Sequence, residues 1–536
     1  MARYGDTRAR LRGIAFSKAA VAVPFFPEPR THTYSSTAPF TKLAAIAGII
    51  TPMPPTSAVS SATADAATGN MGELSSRQRY SGLIWLVAAA FFMQALDSTI
   101  VNTAVPAIAN ALGETPLNMR SSLTSYVLTL AILIPASPWL CDRFGTRRVF
   151  GIAIGVFAIG SLLCGISQTL PELVLARVLQ GCGGAALMPV GRYVLVRSID
   201  KRDFVQVMST VATFGLLGSV LGPLLGGALV QYTSWRLIFL LNVPVGLVGI
   251  WLNLREMPEY RLERANRFDL LGFLLFAAAS ALLLTASEFA ADETIRWVQM
   301  GTLVLLATAF GAAYVWHSRR TDHPVADLSL LRVRSVWVAL SGNLLTRLGV
   351  SGMFLLIVLF LQVGCGWSPL MAGLMMVPQA VGSISAKWLV NRLLIRMGYR
   401  RMLFSNTLIV AALLAMFALL GPHTPVAAIA LLVFIYGGFM GMQYTTMNTL
   451  IYTDLDVKYA SMASSMASTT QYLSMSFGIA LATLLMQTLL HGHGDAAAYV
   501  VAFRWTVIVL AIITAVASRV FARLDKKPMA TVSSTA

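Results

Sequence analysis

The sequence predicts an all-α integral membrane protein: two similar six-helix bundles with a pair of helices inserted between them. Three observations lead there. Hydrophobic residues make up 56% of the 536-residue chain and charged ones only 12%, about half the charged share of ordinary soluble domains. The apolar runs are mostly 18–25 residues long, matching the ~20 residues a helix needs to cross ~30 Å of hydrocarbon. Alternating segments of about ten residues, the mark of a membrane barrel, do not occur. Finally, DRFGTRRVF at Asp142–Phe150 returns as IRMGYRRML at Ile395–Leu403. Arg143, Gly145, Arg147 and Arg148 then align with Arg396, Gly398, Arg400 and Arg401 at an offset of 253 residues. Two like loops that far apart imply two like halves, an arrangement typical of secondary transporters.

The net charge of +17 would suit a nucleic-acid binder, but the placement of the charges excludes that reading. Lys and Arg crowd the even-numbered loops and the C-terminal tail, whereas the odd-numbered loops carry only Arg120, Arg236 and Arg296. This is the positive-inside asymmetry. It predicts even-numbered loops and both termini in the cytoplasm, with lipid and not nucleic acid around the chain. Cys141, Cys164, Cys182 and Cys365 fall in or at the ends of spans and read as small core residues, not as a disulfide framework.

In chain order, residues 1–80 form a tail rich in Ala, Ser, Thr and Pro whose one apolar run, Leu43–Ile50, is too short to span. It reads as disordered, with the natural start near Met71. Spans are expected at roughly 82–104, 122–141, 149–168, 172–194, 206–230 and 236–254, making a first bundle over 81–255. The linker 256–335 holds an inserted pair, 268–289 and 297–316, flanked by basic loops. A second bundle over 336–523 contains 336–363, 370–391, 402–420, 425–447, 460–489 and 499–521, followed by a short cytoplasmic tail, 524–536.

Ionised groups inside hydrocarbon are costly and are functional candidates by default. Asp97 lies deep in the first span, where a desolvated carboxylate takes up a proton more readily. The bland alternative is a structural Asp capped by Ser98 and Thr99. Arg177 stands in the fourth span beside Gln180 and the glycines Gly181, Gly183 and Gly184. Arginine stays charged, so its part is to hold a carboxylate or to grip an anion. In the fifth span Gly218, Gly222 and Gly226 share one face, and Pro223 bends the helix. Arg347 is mid-span in the ninth with no acid nearby in sequence. Lys387, Arg192, Arg504 and Glu288 lie near span ends and read as interfacial. Deep cations thus outnumber deep anions, which favours a neutral or anionic cargo. His491 and His493 are spaced like metal ligands, but they lack a third partner and read as a solvated loop. In the repeated loop, Asp142 can pair with a base or cap a helix, Gly145 permits the sharp turn, and Arg143, Arg147 and Arg148 anchor the cytoplasmic face. Pairing across two helices would make a latch.

Together these stretches resemble the major facilitator superfamily, in its fourteen-spanner drug:proton antiporter branch (EmrB/QacA/MdtD type). LDSTIVNTAVP at Leu96–Pro106 is similar to that branch's first-span motif, and Asp142–Arg148 to its loop motif. Arg177, Gln180 and Gly181 are similar to the fourth-span motif, and Gly218, Gly222, Pro223, Gly226 and Gly227 to the fifth-span antiporter motif. The likeness covers about Ser81–Arg523. It departs at Pro138, where the loop motif usually has Gly, and at Thr146, where a basic residue is frequent. The resemblance implies a major facilitator fold and export by alternating access driven by proton uptake, with multidrug efflux as the family default. It implies proton coupling at Asp97 and Arg177 and a central cavity, and Gln180 and Arg347 are expected to line that cavity for the substrate. No cofactor is expected beyond the proton gradient, and no enzyme activity. The partners expected are a small-molecule substrate and, as in some relatives, a periplasmic adaptor and outer-membrane channel, with the chain in the bacterial inner membrane. Export of an organic anion is the alternative substrate reading. A non-transporting membrane sensor or scaffold is the alternative of another class.

Overall fold

The computed structural model describes residues 80–262, 267–289, 297–322, 324–455, 459–490 and 496–524. The expected N- and C-terminal tails, Arg296, the pair His491 and His493, and the side chain of Glu288 lie outside the described residues. Among these, thirteen helical stretches are long and apolar enough to cross a membrane. One, Pro369–Phe417, is two helices joined at Gly398, whose φ of 69° and ψ of 165° are not helical. That makes fourteen crossings. In the first half they are α1 (Ser81–Leu112), α2 (Arg120–Phe144), α3 (Thr146–Ile166), α4 (Leu170–Ser198), α5 (Lys201–Tyr232) and α6 (Arg236–Glu256). The inserted pair is α7 (Leu270–Phe289) and α8 (Trp297–Ser318). The second half holds α9 (Arg334–Gly364), α10 (369–397), α11 (399–417), α12 (Val426–Leu450), α13 (Ala460–Leu490) and α14 (Ala496–Phe521).

Three local features depart from the expected spans. α1 runs eight residues past the expected end at 104, through Pro106. Proline removes one backbone donor, but a membrane helix absorbs such a loss among its neighbours. α6 loses helical hydrogen bonding at Leu241 while keeping helical angles there, because Pro244 has no amide to offer the Leu240 carbonyl. The basic stretch 392–401, expected as a loop, is helical except at Gly398.

The sequence repeat is also a repeat of conformation. Gly145 (φ 91°, ψ 150°) separates α2 from α3 as Gly398 separates α10 from α11. These backbone angles are near-exclusive to glycine, and a side chain there costs about 1–3 kcal/mol. A Cβ on Gly145 would also strike the Glu259 carboxylate, whereas one on Gly398 would meet nothing within 4 Å. Thermal unfolding in detergent should therefore show Gly145→Ala and Gly398→Ala both less stable than the parent, and Gly145→Ala the more affected.

Buried side chains form one apolar cluster common to both halves at the end bearing the odd-numbered loops, with Ile100, Val105 and Phe239 of the first half and Phe360, Phe417 and Phe503 of the second. At the end bearing the basic loops the cores are separate. Phe150, Phe157 and Leu195 belong to a first-half cluster, and Leu403, Leu450 and Phe521 to a second-half one. The two bundles are thus fused at one end. The inserted α7 lies against α2 and α13 across the boundary, where Leu128, Leu284 and Ala480 meet. The cysteines divide. Cys141 and Cys164 are buried, but Cys365 is half-buried and Cys182 exposed, so the expectation that all four are core residues fails at these two. All four are free thiols.

Candidate functional site

Asp97 sits midway along α1 and is fully buried, and Arg177 of α4 is 1% exposed. The Arg177 Nη1 is 2.8 Å from the Asp97 Oδ2. Taking both ions out of water is expensive, and the arrangement persists because each is further hydrogen-bonded. Arg177 Nη1 also donates to Gln180 Oε1 at 2.6 Å, and its Nε to the Ser122 carbonyl at 3.4 Å. Its guanidinium lies 4.1 Å from the centre of the Tyr126 ring, a cation–π contact that offsets part of the lost hydration. The other carboxylate oxygen, Asp97 Oδ1, accepts from Gln180 Nε2 at 2.8 Å and from Asn242 Nδ2 at 3.2 Å. Ser161 Oγ accepts from the same two amides, at 2.7 and 3.4 Å. Three helices, α1, α4 and α6, meet at one carboxylate, and α3 supports them through Ser161. Ser98 and Thr99 do not cap Asp97, because their hydroxyls donate to the Ala95 carbonyl of their own helix.

Arg177 also forms part of the wall of a central cavity of about 230 Å³ between the two halves. Arg347 of α9, 6% exposed, faces the same space. Arg347 donates from Nε to Asn343 Oδ1 at 2.6 Å and stacks 3.9 Å from the centre of the Tyr444 ring. Among the described residues it has no acidic partner, unlike Arg177. Gln180, expected to line the cavity beside Arg347, lies behind the wall and holds Asp97 and Ser161 instead. Tyr126, Ser351 and Tyr436 also line the cavity, and their buried hydroxyls have no hydrogen-bond partner among the described residues. Buried polar groups are rarely left so.

The fifth-span glycines work as contact points. A Cβ on Gly218, Gly222 or Gly226 would collide with α1, at Phe92, Thr99 and Ile100 respectively. Gly227, one step round the helix, faces the backbone of Pro369 and Leu370 in the other half, and Gly373 of α10 faces the Pro223 carbonyl. The two halves therefore touch backbone to backbone there. Hydrogen bonds reinforce the same end, with Gln362 Nε2 donating to the Thr103 carbonyl at 2.9 Å and Arg120 Nη1 to Gln487 Oε1 at 2.7 Å.

The repeated loop is clasped within its own half. Thr146 is buried, and its hydroxyl donates to the Pro258 carbonyl at 2.7 Å and accepts from the Tyr260 amide at 2.9 Å. The Arg147 amide donates to the Glu259 carboxylate at 3.2 Å. Arg143 and Arg148 are exposed. Asp142 caps no helix, and among the described residues its carboxylate has no hydrogen bond or ion pair. Its backbone carbonyl accepts from Leu262. The residue that departs from the family pattern, Thr146, is the centre of the clasp.

A duplicated membrane helix bundle closed at one end around a central cavity, with a charge pair buried at the cavity wall, defines a transporter and not an enzyme. The particular family follows from the sequence: the chain belongs to the Major Facilitator Superfamily, whose profile matches residues 87–479. It is 40% identical over 459 residues to the putative multidrug resistance protein MdtD of Citrobacter koseri, covering 85% of this chain and 96% of that one. It is 41% identical to the protein of the same description from Cronobacter sakazakii, covering 82% and 94%. Among solved structures, a bacterial homologue of the human lysosomal transporter Spinster, inward-facing and unoccupied, superposes with a TM-score of 0.60 at 14% identity, covering 84% of this chain and 97% of that one. The occupied form of that homologue gives 0.57 at 14% identity, with the same coverage.

Proposed function

We propose that the protein is a proton-coupled exporter of the multidrug type, an antiporter that works by alternating access in the bacterial inner membrane. The observation that carries this is the Asp97–Arg177 pair at the cavity wall. A carboxylate that binds a proton releases its hold on the arginine, and the arginine is part of the surface the cargo meets. Proton and cargo thus compete through one contact, which is the requirement for exchange. The energy source is the proton gradient, with no cofactor. The basic loops face the cytoplasm with both termini, so the closed seam lies on the outer side and the cavity is served from within. Arg143, Arg147 and Arg148 anchor the cytoplasmic face, and the Thr146 clasp takes the place of the expected charged latch at Asp142. A periplasmic adaptor and outer channel are compatible with this orientation.

A second substrate reading, export of an organic anion, rests on Arg347. It is a buried cation in the cavity wall with no acid beside it, accompanied by the unpartnered hydroxyls of Tyr126, Ser351 and Tyr436. Competition assays in inside-out vesicles test the two. If anions are the cargo, Arg347→Ala lowers accumulation of small organic acids by roughly ten- to a hundredfold, the value of a charged hydrogen bond of about 1.5–3 kcal/mol, and leaves ethidium unaffected. If cationic drugs are the cargo, wild type accumulates ethidium and ignores the acids.

A further inference from the structure

We infer that Asn242 is a positioning residue for proton coupling, setting how readily Asp97 takes up its proton. The inference rests on Asp97 being the proton carrier. Asn242 stands in α6 two residues before Pro244 and is 1% exposed. Its amide donates to Asp97 Oδ1 at 3.2 Å and to Ser161 Oγ at 3.4 Å. Leu241 keeps helical angles and its amide bonds the Leu237 carbonyl at 3.0 Å, so the register of α6 runs on through this point and holds the amide towards α1 and α3. A donor on a carboxylate favours its ionised form. The Asn242 donor is independent of the Arg177 pair, because Arg177 holds Oδ2 and Asn242 holds Oδ1.

The other groups around Asp97 do not duplicate this role. Among the described residues, Arg177 from α4 is the one charged partner. Tyr126 from α2 lies on the Arg177 face, and Cys164 from α3 contacts Gln180 at 3.8 Å. α5 offers glycines where it meets α1. Gln180 bridges Arg177, Asp97 and Ser161 at once, so removing it disturbs the charge pair itself. Asn242 can be removed without touching Arg177. It is therefore the group through which proton affinity is adjusted while the cargo-facing arginine stays in place.

Infrared titration of the protein in liposomes reads this without a cargo. The probe is pH alone, and the signal is the protonated-carboxyl band that disappears in Asp97→Asn. Asn242→Leu, similar in volume but lacking a donor, should move the midpoint of that band up by about one pH unit. Ser161→Ala, which removes the acceptor shared by the Gln180 and Asn242 amides and leaves the Arg177 contact in place, should move it the same way by less, and serves if Asn242→Leu does not fold. Asn253→Leu is the control. It removes an amide from the other end of the same helix, where Asn253 donates to the Arg147 carbonyl at 3.0 Å, and should leave the midpoint in place. An unmoved midpoint in both Asn242→Leu and Ser161→Ala overturns the inference while Asp97 remains the carrier. A shift in Asn253→Leu equal to that in Asn242→Leu overturns it as a merely structural effect. If no titrating component is lost in Asp97→Asn, both the inference and the reading beneath it are overturned.

Discussion

Asp97→Asn abolishes uphill accumulation of cargo while leaving exchange of cargo down its own gradient. One proton moving through 100 mV supplies about 2.3 kcal/mol, enough for roughly fiftyfold accumulation, and that factor is what the variant should lose for each 100 mV imposed. The asparagine carbonyl still accepts from Arg177, and its amide can donate to Asn242 once that side chain turns its own carbonyl inward, so the protein folds. Arg177→Ala behaves differently. It leaves a fully buried carboxylate without its counter-ion, and breaking a buried pair in this way costs about 3–5 kcal/mol. Both variants stop coupling, but only Arg177→Ala should also unfold at markedly lower temperature. Counterflow and accumulation assays in the same proteoliposomes, with a thermal scan of each variant, check the contrast.

Substitution of Gly227 changes which side of the membrane reaches the cavity. The Gly227 Cα faces the backbone of Pro369 and Leu370 in the opposite half, so a leucine there cannot be accommodated by a rotamer change. Overpacking costs about 1–3 kcal/mol, and because the contact exists only when the seam is closed, the whole cost falls on that state. Its population relative to the opposite state should drop by about 5- to 150-fold. Gly226→Leu is the comparison: its clash is with α1 in the same half, which persists in either state. The measurement is the rate at which an impermeant thiol reagent, added from each side, labels Ser98→Cys at the cavity wall in a background without native cysteines. Gly227→Leu should gain labelling from the outer side, and Gly226→Leu should lower stability without changing the labelled side.

Much of this was legible in the residues, for physical reasons. Hydrocarbon admits only long apolar helices, so span number and the inserted pair could be read from run lengths, and the Gly145 and Gly398 repeat marked the duplication. Charges in lipid are conspicuous because they are expensive, which is why Asp97, Arg177 and Arg347 stood out before any geometry was known. Neutral polar residues carry no such mark. Asn242 and Ser161 read as ordinary members of apolar spans, and only the meeting of α6 with Asp97, supported from α3, gives them a role. The Thr146 clasp joins residues 112 positions apart, beyond any local pattern. Gln180 was placed near the site by its neighbours in sequence, but which way it faces depends on helix rotation, and the fold turns it away from the cavity. α1 was expected to end at 104, but the helix continues through Pro106 to Leu112, since neighbouring helices in lipid absorb the lost donor.

The most direct test of the central claim is whether cargo moves protons through Asp97. In inside-out vesicles acidified by respiration, addition of ethidium or of a small organic acid should partly collapse the pH gradient in wild type, and neither should do so in Asp97→Asn present at the same level. Equal collapse in wild type and Asp97→Asn would contradict the account, since protons would then cross by a route that does not use the buried pair.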